Sequence, residues 1–206
     1  MCVSVVNYDT AEINYKSKTK RISGYFEIGK REEKEIPSCG IPRKKYNWGK
    51  VGINYQMGKG TKKFLELGIQ LGGGIGSENI KEVDTLHPSS YSYSFFDLYF
   101  LGYLKFGGRI KPINMAFKLA YGGIPCATEF YFLPLGYSDI MLGFLNPEKL
   151  TIYTGVNWLF HHPYSYRLGI NLHFNEISLI TQISFRKSYF GVRKFFSFKF
   201  GTGFKF

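Results

Sequence analysis

Apolar and polar residues alternate along most of the chain with a period of two. Leu65, Leu67, Ile69 and Leu71 are interleaved with Glu66, Gly68 and Gln70. Val51, Ile53, Tyr55 and Met57 alternate with Lys50, Gly52, Asn54 and Gln56, and Ile113, Met115, Phe117, Leu119 and Tyr121 with Asn114, Ala116, Lys118 and Ala120. Later come Leu150–Phe160, Tyr166–Phe174 and Ile177–Phe185, each with one bulky and one polar or small set. Successive side chains of a strand point to opposite faces, so each segment predicts a strand with one apolar face. Phe96–Phe106 and Ile140–Phe144 are less regular, and the final run Phe196–Phe206 and the earlier Ile22–Ile28 complete the set of candidates. No segment has a helical period.

The connections alternate as well. Lys59–Lys63, Gly107–Pro112, Asn146–Lys149 and Asn175-Glu176 are short; Lys30–Asn47, Ser77–Ser94 and Gly123–Tyr137 are long, with His161–Ser165 and Arg186–Tyr189 as shorter members of the second set. A strict short–long order is that of an up-and-down meander with one short-turn rim and one long-loop rim. The expected fold is all-β: an up-and-down antiparallel transmembrane β-barrel of about 10 strands, within a range of roughly 8–12. Residues 1–21 form an N-terminal extension without a strand pattern, and 22–206 a single barrel domain.

The faces discriminate between classes. A soluble barrel turns its bulky set inward and shows water a Lys- and Glu-rich face. Here the second face is mostly Gly, Asn, Gln, Ser, Thr and Tyr with single charges, which suits a narrow lumen. The apolar faces run nearly uncharged over ~9–11 residues, enough for a tilted strand to cross a bilayer. Trp48, Tyr121, Trp158 and Tyr166 lie near segment ends, where interfacial aromatics are expected. A soluble barrel binding an apolar ligand is the alternative.

The last residues, Phe196-Ser197-Phe198-Lys199-Phe200-Gly201-Thr202-Gly203-Phe204-Lys205-Phe206, resemble the terminal strand of bacterial outer-membrane β-barrels, which end on an aromatic residue preceded by alternating apolar ones. The resemblance implies that Phe200, Phe204 and Phe206 act as an assembly signal read by the barrel-assembly machinery, and that the protein resides in the cell outer membrane among lipid and lipopolysaccharide. Lys199, Gly201, Phe204 and Phe206 also resemble the looser signal of mitochondrial barrels, whose porins are much longer. The bacterial family uses a secretory signal peptide and none is visible at Met1–Asp9, so a truncated or mis-started N-terminus is expected.

The lumen face carries Glu27, Lys50, Glu66, Asp97, Lys105, Lys118, Arg167, Lys199 and Lys205. The basic excess predicts either an anion-biased pore for small solutes or a closed, salt-bridged interior. His87, His161 and His162 fall near the long-loop rim with Asp84, Asp97 and Asp139, which resembles omptin proteases in residue type and strand count and makes a rim-active hydrolase the enzymatic alternative. No His occupies a lipid-facing position, as lipid A-modifying barrels require. The main expectation is a non-enzymatic barrel: a narrow pore, or a surface or structural protein.

Composition changes little in this picture. The net charge of +12 comes from dispersed residues, without a nucleic-acid-binding module, and fits loops facing an anionic lipopolysaccharide surface. Cys2, Cys39 and Cys126 share no Cys-x-x-Cys spacing, so neither a metal site nor a disulfide framework is expected, and no cofactor motif is present. Gly72-Gly73-Gly74-Ile75-Gly76 lacks the Lys of a phosphate loop and reads as a bent or bulged strand end.

Overall fold

In a computed structural model, residues 9–13, 18–33, 43–83, 89–110, 112–125, 132–144, 149–159, 162–189 and 192–206 are described. They contain ten strands: β1 (Lys18–Glu33), β2 (Arg43–Lys62), β3 (Leu65–Val83), β4 (Ser90–Ile110), β5 (Ile113–Pro125), β6 (Phe132–Phe144), β7 (Leu150–Leu159), β8 (His162–Phe174), β9 (Ile177–Tyr189) and β10 (Val192–Lys205). Each strand pairs antiparallel with its sequence neighbours, and β1 pairs with β10, closing the barrel. The seam runs from Arg21 opposite Lys205 to Glu33 opposite Val192. Phe206 adds a last rung: its N–H donates to the Lys20 carbonyl (3.0 Å), and the Lys20 N–H donates to the Phe206 carbonyl (3.3 Å). Closure leaves no unpaired edge, as hydrocarbon surroundings demand.

The predicted apolar faces point outward. Phe26, Ile53, Ile75, Phe96, Phe117, Ile140, Leu168, Phe185 and Phe200 are all exposed, while Glu27, Lys50, Glu66, Lys105, Lys118 and Lys199 are buried inside. An apolar belt around a charged interior is the surface of a transmembrane barrel. It excludes the soluble alternative, which needs the bulky set inside.

The strands outrun the sequence boundaries. β1 to β4 are 16, 20, 19 and 21 residues long, against the ~9–11 needed to cross a bilayer. Most of the expected first two long loops is therefore strand that rises past the apolar belt on one side of the barrel. Lys30–Glu33 is polar on both faces because both are beyond the belt, so no hydrophobic alternation marks it. β1 also begins at Lys18, ahead of Ile22, and puts Arg21 inside.

Two expectations, one for an aromatic residue and one for a glycine run, require correction. Trp48 is buried and packs on Phe195, with ring centroids 5.5 Å apart, so it belongs to the interior and not to an interfacial girdle. Tyr121 and Tyr166 do face outward. The Gly72–Gly76 run is not bulged and does not end its strand; it stays in continuous register with Asn54–Lys50 and with Tyr99–Phe95 inside β3. Its glycines make room for bulky neighbours. A Cβ on Gly72 would lie 2.4 Å from the Tyr99 ring, and one on Gly74 would lie 2.7 Å from the Lys50 side chain. Gly52 under Tyr25 and Gly169 under Tyr153 repeat the device on other strands. Tyrosines thus lie flat across glycines of adjacent strands, filling the lumen without widening the barrel.

Candidate functional site: the lumen and its two rims

The interior is a layered network of ion pairs. Near the short-turn end, Asp9 enters from the segment preceding β1 and is buried. Its carboxylate accepts hydrogen bonds from Arg21 Nη1, from Gln56 Nε2 at 3.0 Å and from Lys118 Nζ at 3.2 Å, with Lys105 Nζ at 3.4 Å. Asn171 Nδ2 donates to the Asp9 carbonyl (3.3 Å), and Lys105 Nζ donates to the Glu12 carbonyl (2.8 Å). Ala11 packs among Ala116, Met141 and Tyr153. The segment Asp9–Ile13 is therefore held inside the lumen by β1, β2, β4, β5 and β8. Lys105 also pairs with Glu66 (2.9 Å), which accepts a further hydrogen bond from the Tyr103 hydroxyl.

Farther up, Lys50 meets Asp97 at 2.5 Å, and Lys199 meets Glu27 at 3.9 Å. Both ammonium groups lie 5.5 Å from the Tyr25 ring centre, so the aromatic face adds to their stabilisation. On the other wall, Arg167 grips Asp139 with both ends of its guanidinium. Nε donates to Oδ1 at 2.6 Å, Nη2 donates to Oδ2, and Nη1 donates to Asn157 Oδ1 at 3.2 Å. The guanidinium lies 3.9 Å from the Tyr137 ring centre. A bidentate fork of this kind is the strongest pairing available to a buried carboxylate.

Of the nine lumen charges expected from the sequence, Glu27, Lys50, Glu66, Asp97, Lys105, Lys118, Arg167 and Lys199 are buried in this network. Lys205 is exposed at the short-turn mouth instead, because β10 ends there. Asp9, Arg21, Glu78 and Asp139 were missing from that set. Among the described residues the buried charges are Arg21, Lys50, Lys105, Lys118, Arg167 and Lys199 against Asp9, Glu27, Glu66, Glu78, Asp97 and Asp139, six of each sign. Among the described buried residues the charges therefore balance, without the basic excess on which the expectation of an anion-biased pore rests.

The rim expected to carry hydrolytic groups is arranged differently. Asp97 and Asp139 do not lie there, because their strands carry them down to Lys50 and Arg167. Asp84, His87 and His161 fall outside the described residues, and His162 is placed only as the β8 residue opposite Leu159. The rim acids that are described are tied up. Glu32 pairs with Arg43, Glu33 accepts from the Tyr46 hydroxyl at 2.6 Å, and Glu82 lies 3.2 Å from Lys44 and accepts from Ser89 at 2.7 Å. The remaining histidine, His173, is buried at the opposite end. Its Nε2 is 3.0 Å from the Thr151 hydroxyl and its Nδ1 is 2.8 Å from that of Ser178, so hydroxyls and not a carboxylate orient the ring.

No protein-family model and no curated relative matches the chain. Among solved structures, the translocator domain of the autotransporter NalP from Neisseria meningitidis is similar at 10% identity over 94% of this chain and 91% of that one, with a TM-score of 0.48. The β domain of the Bordetella autotransporter BrkA is 9% identical over 92% of this chain and all of its own, with a TM-score of 0.45. Ail, the attachment invasion locus protein of Yersinia pestis, is 10% identical over 92% and 99%, with a TM-score of 0.36. Likeness at this level says nothing about what this chain does.

Proposed function

We propose that this chain is an integral outer-membrane β-barrel with a closed lumen, serving as a surface or structural component of the membrane and neither conducting solutes nor catalysing a reaction. The supporting observation is the lumen network: six buried cations and six buried anions of the described residues, with Asp9–Ile13 drawn among them. Conduction needs sites that bind ions weakly enough to release them. Here each buried ammonium or guanidinium already has a carboxylate partner, so an entering anion must compete with a fixed one at low dielectric. The long-loop rim, with β1 to β4 standing above the belt, is the part that meets the surroundings of the cell. Lipid and lipopolysaccharide are its partners in the membrane, and the barrel-assembly machinery recognises Phe200, Phe204 and Phe206.

Planar-bilayer recording is the test. The intact chain should give no steady single-channel current. Replacing Asp9 by Ala removes the carboxylate that anchors the inner segment, and deleting residues 1–13 removes the segment itself. Both variants should show openings, with the deletion conducting more often. A stable open channel in the unmodified protein would contradict the closed lumen.

A further inference from the structure

We propose that the cleft at the long-loop rim where β2, β1, β10 and β9 meet binds the phosphorylated head group of an outer-leaflet glycolipid. The cleft has a volume of about 470 Å³ and is lined by Lys30, Glu32, Lys45, Arg186, Lys194 and Phe196 among others. Lys30, Lys45 and Lys194 are exposed, one on each of three adjacent strands. None of these three forms an ion pair among the described residues. Glu32 stands in register between Lys45 and Lys194, but its carboxylate is paired with Arg43. The site therefore keeps a strong local excess of positive charge.

Its position selects the ligand. Lys30 is in register with Phe196, and two residues along the same strand is the outward-facing Ile28, in register with Phe198. Phe196 pairs in turn with Phe185. The lysines thus sit at the upper edge of the apolar belt, where the head groups of a bilayer lie above its chains. A free anion would use the lysines alone. A phosphorylated amphiphile uses both parts, with phosphate on Lys30, Lys45 and Lys194 and acyl chains over Phe196, Phe185 and Ile28. The volume suits a phosphosugar head group.

This inference rests on the reading that the chain spans the outer membrane with its long-loop rim outward. The test uses the full chain folded in maltoside micelles, with its folded state checked by gel mobility before and after boiling. Lipid A, a bisphosphorylated and multiply acylated glucosamine disaccharide, is titrated in and binding is followed by native mass spectrometry. The triple variant Lys30→Gln, Lys45→Gln, Lys194→Gln should bind on the order of 100-fold more weakly, at the ~1 kcal/mol per basic residue typical of anionic membrane surfaces. The triple variant Lys18→Gln, Lys20→Gln, Lys59→Gln makes the same charge change at the short-turn rim, where these lysines are also exposed, and should bind as the parent does. The fully deacylated disaccharide bisphosphate should bind much more weakly than lipid A. Equal losses in the two triple variants, or no loss in either, would overturn the cleft. Equal binding of the deacylated sugar would overturn the lipid assignment. A heat-modifiable barrel that ignores lipid A refutes the cleft while leaving membrane insertion standing; a chain that is monomeric without detergent refutes both.

Discussion

Asp139→Ala is expected to destabilise the folded barrel by about 3–5 kcal/mol, among the largest effects of any single substitution. The carboxylate accepts two hydrogen bonds from Arg167, and both side chains are fully buried in the lumen wall. Without it, Arg167 keeps its hydrogen bond to Asn157 Oδ1 and its contacts with the Tyr137 and Tyr153 rings, none of which supplies the negative charge that a desolvated guanidinium needs. Removing both charges at once by Asp139→Leu with Arg167→Met leaves no unpaired charge and should recover most of the loss, because a buried ion pair often contributes little beyond its apolar equivalent. Reversible urea unfolding of the barrel in lipid vesicles measures both. A single variant within ~1 kcal/mol of the parent would mean that water reaches Arg167 and that the lumen is not closed on this wall.

Phe206→Ala is expected to reduce severalfold the fraction of protein that reaches the outer membrane in a heat-modifiable form. Phe206 is exposed on the outer face, together with Phe204 and Phe200, at the start of the seam. Its backbone closes the last rung against Lys20. The Ala variant keeps that rung and removes only the ring, so loss of closure and loss of recognition are separated. Leu168→Ala removes an apolar side chain from the middle of β8, where it is also exposed on the outer face, and should assemble nearly as well as the parent. In vesicles without assembly machinery the two variants should fold to similar extents. Equal yields of both variants in cells would make Phe206 one more lipid-facing side chain and end the assembly-signal reading.

The ten strands and their order were legible because lipid imposes a uniform requirement. Every outward position in the belt must be apolar and every strand must alternate, so Leu65–Leu71 or Tyr166–Phe174 declares itself without reference to any neighbour. The interior obeys no such rule, since its content depends on what lies across the lumen. Asp139 shares parity with Met141 and lies on the face opposite Ile140 and Leu142, so the pattern carries a signal that it points inward and not to the rim, although not that it meets Arg167. Trp48 shares parity with Lys50 and could likewise have been placed inside. The Gly72–Gly76 run reads as a strand end because the side chains that need its space, Tyr99 and Phe95, belong to another strand. Asp9 had no signal at all: the segment before β1 has no periodicity, and its role exists only once Arg21, Gln56, Lys105 and Lys118 surround it.

The outward apolar belt is the foundation of both the membrane placement and the closed interior, and fractionation tests it most directly. Membranes containing the expressed chain are washed with alkaline carbonate, sedimented, extracted with detergent, and run on gels with and without boiling. The chain should stay in the carbonate-washed pellet, enter solution only with detergent, and migrate at different positions in the two gel lanes. A monomer that remains soluble in buffer without detergent, with a single gel mobility, would show that the exposed faces of Phe26, Phe96, Phe117 and Leu168 do not meet lipid.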